Sequence, residues 1–153
     1  MKKLIILILI FSMNYIYAEF PVYYSAGIKI GFNLSGKSNF HIGPEISFIE
    51  NIGKNKQYFT GAYLNLDFYM NGKIAFNPGI EIQFEIAPGV AFGPSVLIES
   101  DTTHIGINAA LYSGFIFHPY FGYFWYPERK SFFDTGFFIK IPFGKYLPDM
   151  SIG

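Results

Sequence analysis

Apolar and polar residues alternate strictly along residues 73–86, KIAFNPGIEIQFEI. Every even position in this segment carries an apolar side chain, and every odd position carries a polar or small one. Successive side chains of a β-strand point to opposite faces, so the pattern predicts a strand with one apolar and one polar face. An α-helix with this pattern would spread its charges around the axis. The predicted strand is about 45 Å long, which is unusual for a soluble domain.

The same alternation recurs in further segments of the chain: 23–34, 40–49, 58–70, 90–99, 104–113, 117–126 and 133–143. The segment 117–126 is almost wholly aromatic, so its phase is not determined by the pattern. Eight strands joined by short connections are an even number, which suits an up-and-down barrel. The sequence therefore predicts an all-β fold, an antiparallel up-and-down β-barrel of about eight strands.

The connection after the third predicted strand allows a test of register. A one-residue slip would move every side chain to the wrong face of the sheet. A two-residue turn at the Asn-Gly pair 71–72 would set Tyr69, on the polar face, opposite Ile74, on the apolar face. A three-residue loop at 71–73 instead pairs Met70 with Ile74, and we predict this loop.

The fifth and sixth strands have opposite parity, so an even number of residues must connect them. Asp101 and Thr102 supply a two-residue turn. That turn places Glu99 opposite His104. We expect these two side chains to form a pair that supports the fold.

The first eighteen residues have the layout of a secretory signal peptide. MKKLIILILIFSMNYIYA combines a basic start, an apolar run and a small residue at Ala18. Asn14 interrupts the run well before the roughly twenty apolar residues that a membrane-spanning helix needs. The sequence predicts a cleavable signal peptide over residues 1–18 and a single barrel domain over residues 19–153.

Composition limits the surface that this chain can present to water. Charged residues make up 14% of the sequence, against about 25% in ordinary soluble domains, and aromatic residues make up 21%. The absence of cysteine excludes disulfides, thiolate nucleophiles and cysteine metal sites. Without the signal peptide the chain carries nine basic and eleven acidic residues. This balance predicts no nucleic-acid partner.

Two kinds of barrel are compatible with the alternation. A soluble calyx, as in lipocalins, turns its apolar face inward, whereas an outer-membrane barrel turns it toward lipid. The glycines favour the second, because they fall on the polar face, where they would weaken an exposed strand but make room inside a narrow barrel. These glycines are Gly27, Gly31, Gly43, Gly61, Gly79, Gly93, Gly106 and Gly136. We therefore predict that the following polar residues line the lumen in a structural role: Lys29, Glu45, Asp67, Glu81, Glu85, Glu99, His104, Asp134 and Lys140.

With its signal peptide, strand number, two-residue repeat and short turns, the chain resembles the small outer-membrane β-barrels of the OmpA/OmpX type. The resemblance covers residues 23–143 and rests on architecture, not on a specific motif. It implies outer-membrane lipid and the barrel-assembly machinery as partners. The chain departs from that family at its end, because Phe143 is followed by GKYLPDMSIG and not by a terminal aromatic residue.

Candidate catalytic groups are sparse. Glu81 and Glu85 lie four residues apart on one face, hence about 13 Å, too far for a paired-carboxylate site. Outer-membrane acyl hydrolases that use a serine, a histidine and an acid place serine two residues after histidine, a spacing that none of the three histidines shows. These histidines also lack metal-site spacing. We predict no catalytic residue, metal or cofactor.

These observations lead to a functional expectation. The chain is predicted to be a non-catalytic outer-membrane protein with a structural or interaction role and a plugged polar interior. A soluble periplasmic calyx that binds a small ligand is the alternative, and a lipid-modifying enzyme of the outer membrane comes after it. A porin-like channel is the weakest hypothesis, because side chains fill an eight-stranded barrel.

Overall fold

The computed structural model describes residues 22–34, 39–52, 58–84, 88–114 and 116–143. Its strands are β1 (Val22–Asn33), β2 (Asn39–Ile52), β3 (Tyr58–Tyr69), β4 (Ile74–Phe84), β5 (Gly89–Glu99), β6 (Thr102–Tyr112), β7 (Phe117–Tyr126) and β8 (Arg129–Phe143). They form a closed antiparallel barrel in which each strand pairs with its sequence neighbours and β8 pairs with β1. The predicted fold class is confirmed. The predicted signal peptide lies outside the described residues.

None of the described residues belongs to a helix long and apolar enough to cross a membrane.

Side-chain burial alternates along the strands as a barrel wall requires. In β7, for example, His118 and Tyr120 are buried, whereas Phe117 and Phe121 on the opposite face are exposed. The exposed face is the apolar one in the other strands as well, and Ile80 in β4 is 60% exposed. Charged and polar side chains of the opposite face are buried inside. The barrel thus has an apolar outside and a largely polar inside.

The β5–β6 hairpin differs from the predicted register. Its turn is formed by Ser100 and Asp101, so Glu99 pairs with Thr102, and His104 pairs with Leu97. The predicted pairing of Glu99 with His104 is therefore wrong. Both possible turns contain two residues, so both keep the apolar residues on one face. Alternation alone cannot distinguish two registers that differ by an even number of residues.

The β3–β4 loop has the predicted length of three residues but begins one residue earlier. The backbone N–H of Gly72 donates to the carbonyl of Tyr69 over 2.9 Å. Gly72 has a φ of +83°, a left-handed conformation that glycine adopts without steric cost. As a result Phe68, rather than Met70, pairs with Ile74. The apolar residues of both strands share one face as predicted, and the predicted pairing is wrong by two residues.

Candidate functional site

The inside of the barrel holds two groups of buried charged residues. We call them the Lys29 cluster and the Lys140 cluster. The Lys29 cluster consists of Lys29, His41, Asp67, Tyr120 and Asp134. The Lys140 cluster consists of Glu45, Ser47, Glu81, Tyr112 and Lys140.

The Lys29 cluster surrounds one ammonium group with two carboxylates. Lys29 Nζ donates to Asp67 Oδ2 over 2.8 Å and lies 3.4 Å from Asp134 Oδ2. The His41 ring sits between the same carboxylates, with Nε2 2.9 Å from Asp134 Oδ1 and Nδ1 3.6 Å from Asp67 Oδ1. Tyr120 donates its hydroxyl proton to Asp134 over 2.8 Å. Opposite charges therefore compensate each other where water is excluded.

Glycine makes the space that the Lys29 cluster occupies. A Cβ atom on Gly31 would overlap the Tyr120 hydroxyl and would lie 2.6 Å from His41 Nε2. Any larger residue at position 31 would therefore displace one of these side chains. This is the role expected for a glycine on the inner face of a narrow barrel.

A chain of hydrogen bonds extends the Lys29 cluster across the barrel. Asn77 Nδ2 donates to Asp67 Oδ2 over 2.9 Å, and Asn77 Oδ1 accepts from the Ser95 hydroxyl. Ser95 Oγ lies 2.7 Å from the hydroxyl oxygen of Tyr126. The polar interior therefore links β3, β4, β5 and β7 through side chains alone.

The Lys140 cluster lies nearer the end of the barrel where β1 begins and β8 ends. Lys140 Nζ bridges Glu45 Oε1 at 2.8 Å and Glu81 Oε2 at 2.9 Å. It also donates to Ser47 Oγ over 3.2 Å, and the Ser47 hydroxyl donates to Glu45. Tyr112 donates to Glu81 Oε2 over 3.0 Å. Each carboxylate thus receives the ammonium and one hydroxyl group.

The nine residues predicted to line the lumen take different positions. Six of them are buried inside the barrel and form the charged parts of the two clusters: Lys29, Glu45, Asp67, Glu81, Asp134 and Lys140. Glu85 lies outside the described residues. Glu99 and His104 are partly exposed at the opposite end of the barrel from the Lys140 cluster.

Glu99 and His104 take partners other than each other. Glu99 Oε1 accepts from Lys73 Nζ over 2.8 Å and also from Arg129. His104 Nε2 lies 3.4 Å from Thr102 Oγ1. The shifted register explains the change, because it places His104 opposite Leu97, two residues along β5 from Glu99.

Several members of the clusters were not predicted from the sequence. His41 shares the polar face of its segment with Glu45, so parity alone could have identified it. Tyr112 likewise shares the polar face of its segment with Asn108, whereas Tyr120 lies in the segment whose phase the pattern leaves undetermined. Inside the barrel, the hydroxyl group of each tyrosine donates to a buried carboxylate.

The chemistry of the interior is that of mutual charge compensation. In the part of the chain that the structure describes, no group of three or more histidine and acidic residues could hold a metal ion. The hydroxyls of Ser47 and Ser95 contact a carboxylate, an ammonium, an amide and a phenol. A serine nucleophile needs an adjacent base such as histidine. The arrangement at these two serines therefore suits a structural network.

No family model, curated protein or solved structure matches this chain. The class of protein is therefore defined by the fold itself, a closed antiparallel barrel of eight strands.

Proposed function

We propose that this chain is an outer-membrane β-barrel protein with a structural or interaction role. The observation that carries the proposal is the inverted distribution of polarity. On the outside, Ile80 and Ile105 are 60% and 70% exposed, while inside Asp67 is fully buried and Lys29 is 2% exposed. Apolar side chains on this scale are unfavourable in water and favourable against lipid. Barrel closure also leaves no unpaired strand edge to face the lipid.

The outer aromatic residues support the same proposal. Near the start of β1, Tyr24 contacts Phe48 and Phe143 at ring-centroid distances of 5.4 and 5.9 Å. Near the end of the same strand, Phe32 contacts Phe40 at 5.3 Å. These two groups lie eight residues apart, about 26 Å along a strand and hence about 20 Å along the axis of a barrel whose strands tilt by about 35–45°. Aromatic belts at both ends of an apolar band are typical of outer-membrane barrels.

The interior supports a non-catalytic role. Each ammonium group in the two clusters already contacts two carboxylates, and an eight-stranded barrel has room for little more than its own side chains. We therefore propose a plugged polar interior. The resemblance to OmpA/OmpX-type barrels extends the proposal to the partners, which are outer-membrane lipid and the barrel-assembly machinery.

Cell fractionation combined with a heat-modifiability gel tests the proposal. When the full-length protein is expressed, the mature chain should be recovered in the outer-membrane fraction with Glu19 as its first residue. An unheated sample in detergent should migrate differently from a boiled one, because a closed barrel resists unfolding by detergent alone. Recovery from the soluble periplasmic fraction without detergent would contradict the proposal and support the calyx.

A further inference from the structure

Two prolines face each other across the wall between β4 and β5. Phe76 pairs with Val96, and Ile80 pairs with Phe92, in one unshifted register. That register places Pro78 directly opposite Pro94. In these described strands, residues 77–79 and 93–95 form no ladder pairs with each other. We call these six residues the β4–β5 seam.

The chemistry of proline accounts for the three missing pairs, although the two backbones stay in close contact at Gly79 and Gly93. In an antiparallel ladder, alternate pairs of opposite residues exchange two N–H···O bonds. Proline has no backbone N–H, so two opposed prolines remove both donors and leave two carbonyls without a backbone donor on the neighbouring strand. The pairs on either side exchange no backbone hydrogen bonds of their own, so the three pairs missing here correspond to the loss of one pair of bonds. A single proline, Pro44 in β2, interrupts the β2–β3 ladder only at Gly43 and Pro44.

An inward side chain replaces one of the two missing donors. Asn108 in β6 donates from Nδ2 to the carbonyl oxygen of Pro94 over 3.0 Å and to that of Gly93 over 3.1 Å. The Tyr63 hydroxyl holds the other end of this amide, donating to Asn108 Oδ1 over 2.8 Å. The Pro78 carbonyl is covered differently, since it lies against Gly93, where a Cβ atom would overlap it.

From these contacts we infer that the barrel wall opens at the β4–β5 seam and that two inner hydrogen bonds hold it closed. Ser95 donates to Asn77 directly across the seam, and Tyr63 donates to Asn108 from β3 to β6, the strands on either side of β4 and β5. The inference rests on the proposed membrane location, because lipid supplies no donor that could replace Asn108. Asn77 and Ser95 are buried just inside the seam. Opening therefore gives the membrane phase a lateral route to the polar interior.

Amide hydrogen exchange in detergent micelles tests the inference within one strand. Alternation makes the N–H groups of Phe76 and Ile80 point toward β5, while those of Asn77 and Gly79 point toward the continuous β3–β4 ladder. The first two should exchange about tenfold faster, because local opening exposes only the bonds that cross the seam. Asn108→Ala should widen the difference. Asn65→Ala, at another buried inward asparagine, should leave it unchanged.

A crosslink provides a test that does not depend on the folding of Asn108→Ala. The chain has no cysteine, so a double variant Ile80→Cys and Phe92→Cys can form a single disulfide between residues paired across the seam. Oxidation should slow exchange at Phe76 to the rate of Asn77, and reduction should restore the difference. Equal exchange at the two residues before oxidation, or no effect of the disulfide, would overturn the inference. If the protein is soluble but Phe76 and Ile80 still exchange faster than Asn77 and Gly79, the result would contradict the membrane proposal and leave the inference about the seam intact.

Discussion

Lys29 and Lys73 each contact a carboxylate at 2.8 Å, but their surroundings differ. Lys29 is buried between Asp67 and Asp134, whereas Lys73 and Glu99 are partly exposed at one end of the barrel. The cost of removing an ammonium group depends on what solvates the carboxylate left behind. Water can do so at the end of the barrel, but the interior offers only other side chains.

The two lysines therefore predict unequal effects of the same substitution. Lys29→Met should destabilise the protein by about 3–5 kcal/mol, because it leaves buried carboxylates with less counter-charge. Lys73→Met should cost about 0–1 kcal/mol, as expected for a partly exposed pair. Urea unfolding in micelles, followed by the fluorescence of Trp125, measures both. Equal losses in the two variants would show that the Lys29 cluster contributes no more than a surface pair.

At the scale of the strands, alternation predicted faces correctly and pairings incorrectly. All eight strands lie within a few residues of the predicted segments. Their faces could be predicted because a shift of one residue in pairing would place charged side chains on the apolar face. A two-residue shift carries no such penalty, and the β3–β4 and β5–β6 hairpins are both shifted in this way. Registers that differ by two residues are distinguished by the turns, because the backbone conformation of the turn residues determines where each hairpin reverses.

The partners inside the barrel could not be predicted for a related reason. Parity indicates that Lys29 and Asp67 share the inner face, but they belong to β1 and β3, which are not neighbours in the sheet. Lys140 and Glu81 are even further apart, on β8 and β4. Which inward side chains meet across a barrel depends on the tilt and stagger of the strands. The tilt and stagger depend on the registers of all eight strand pairs together, and alternation does not determine those registers.

The two hairpin turns predict opposite responses to substitutions that add or remove a Cβ atom. Ser100 has a φ of +44° and Gly72 a φ of +83°, both in the left-handed region. Ser100→Gly should stabilise the protein by up to about 1 kcal/mol, because glycine adopts the left-handed conformation without the steric cost that serine has. The gain is limited because glycine also increases the conformational entropy of the unfolded chain. Gly72→Ala should cost about 1 kcal/mol for backbone conformation alone, because an added Cβ meets no atom within 4 Å. Urea midpoints of both variants check the prediction, and shifts in the same direction would contradict it.

At the scale of the whole molecule, the distribution of polarity is the reverse of that in a soluble protein. Charged residues make up 14% of the sequence, and most of those that the structure describes lie inside the barrel or at its ends. The wall between them presents isoleucine, phenylalanine and proline outward. At the proposed membrane location, the effect of a new charge on the outer surface should depend on its position along the barrel axis.

An arginine introduced at two heights on the outer surface should therefore have unequal effects on stability. Ile107 lies in the middle of β6, opposite Pro94 and Trp125, and faces outward, whereas Met70 is 81% exposed in the β3–β4 loop. In phospholipid vesicles Ile107→Arg should destabilise the barrel by about 2–4 kcal/mol and Met70→Arg by about 0–1 kcal/mol, because the cost of burying arginine in lipid falls toward the interface. Urea unfolding of both variants from vesicles measures the difference. In water both effects should be small, since a soluble barrel with the same outward Ile107 would tolerate both arginines within about 0.5 kcal/mol. Equal, small effects of the two substitutions in vesicles would therefore refute the membrane assignment of the outer surface.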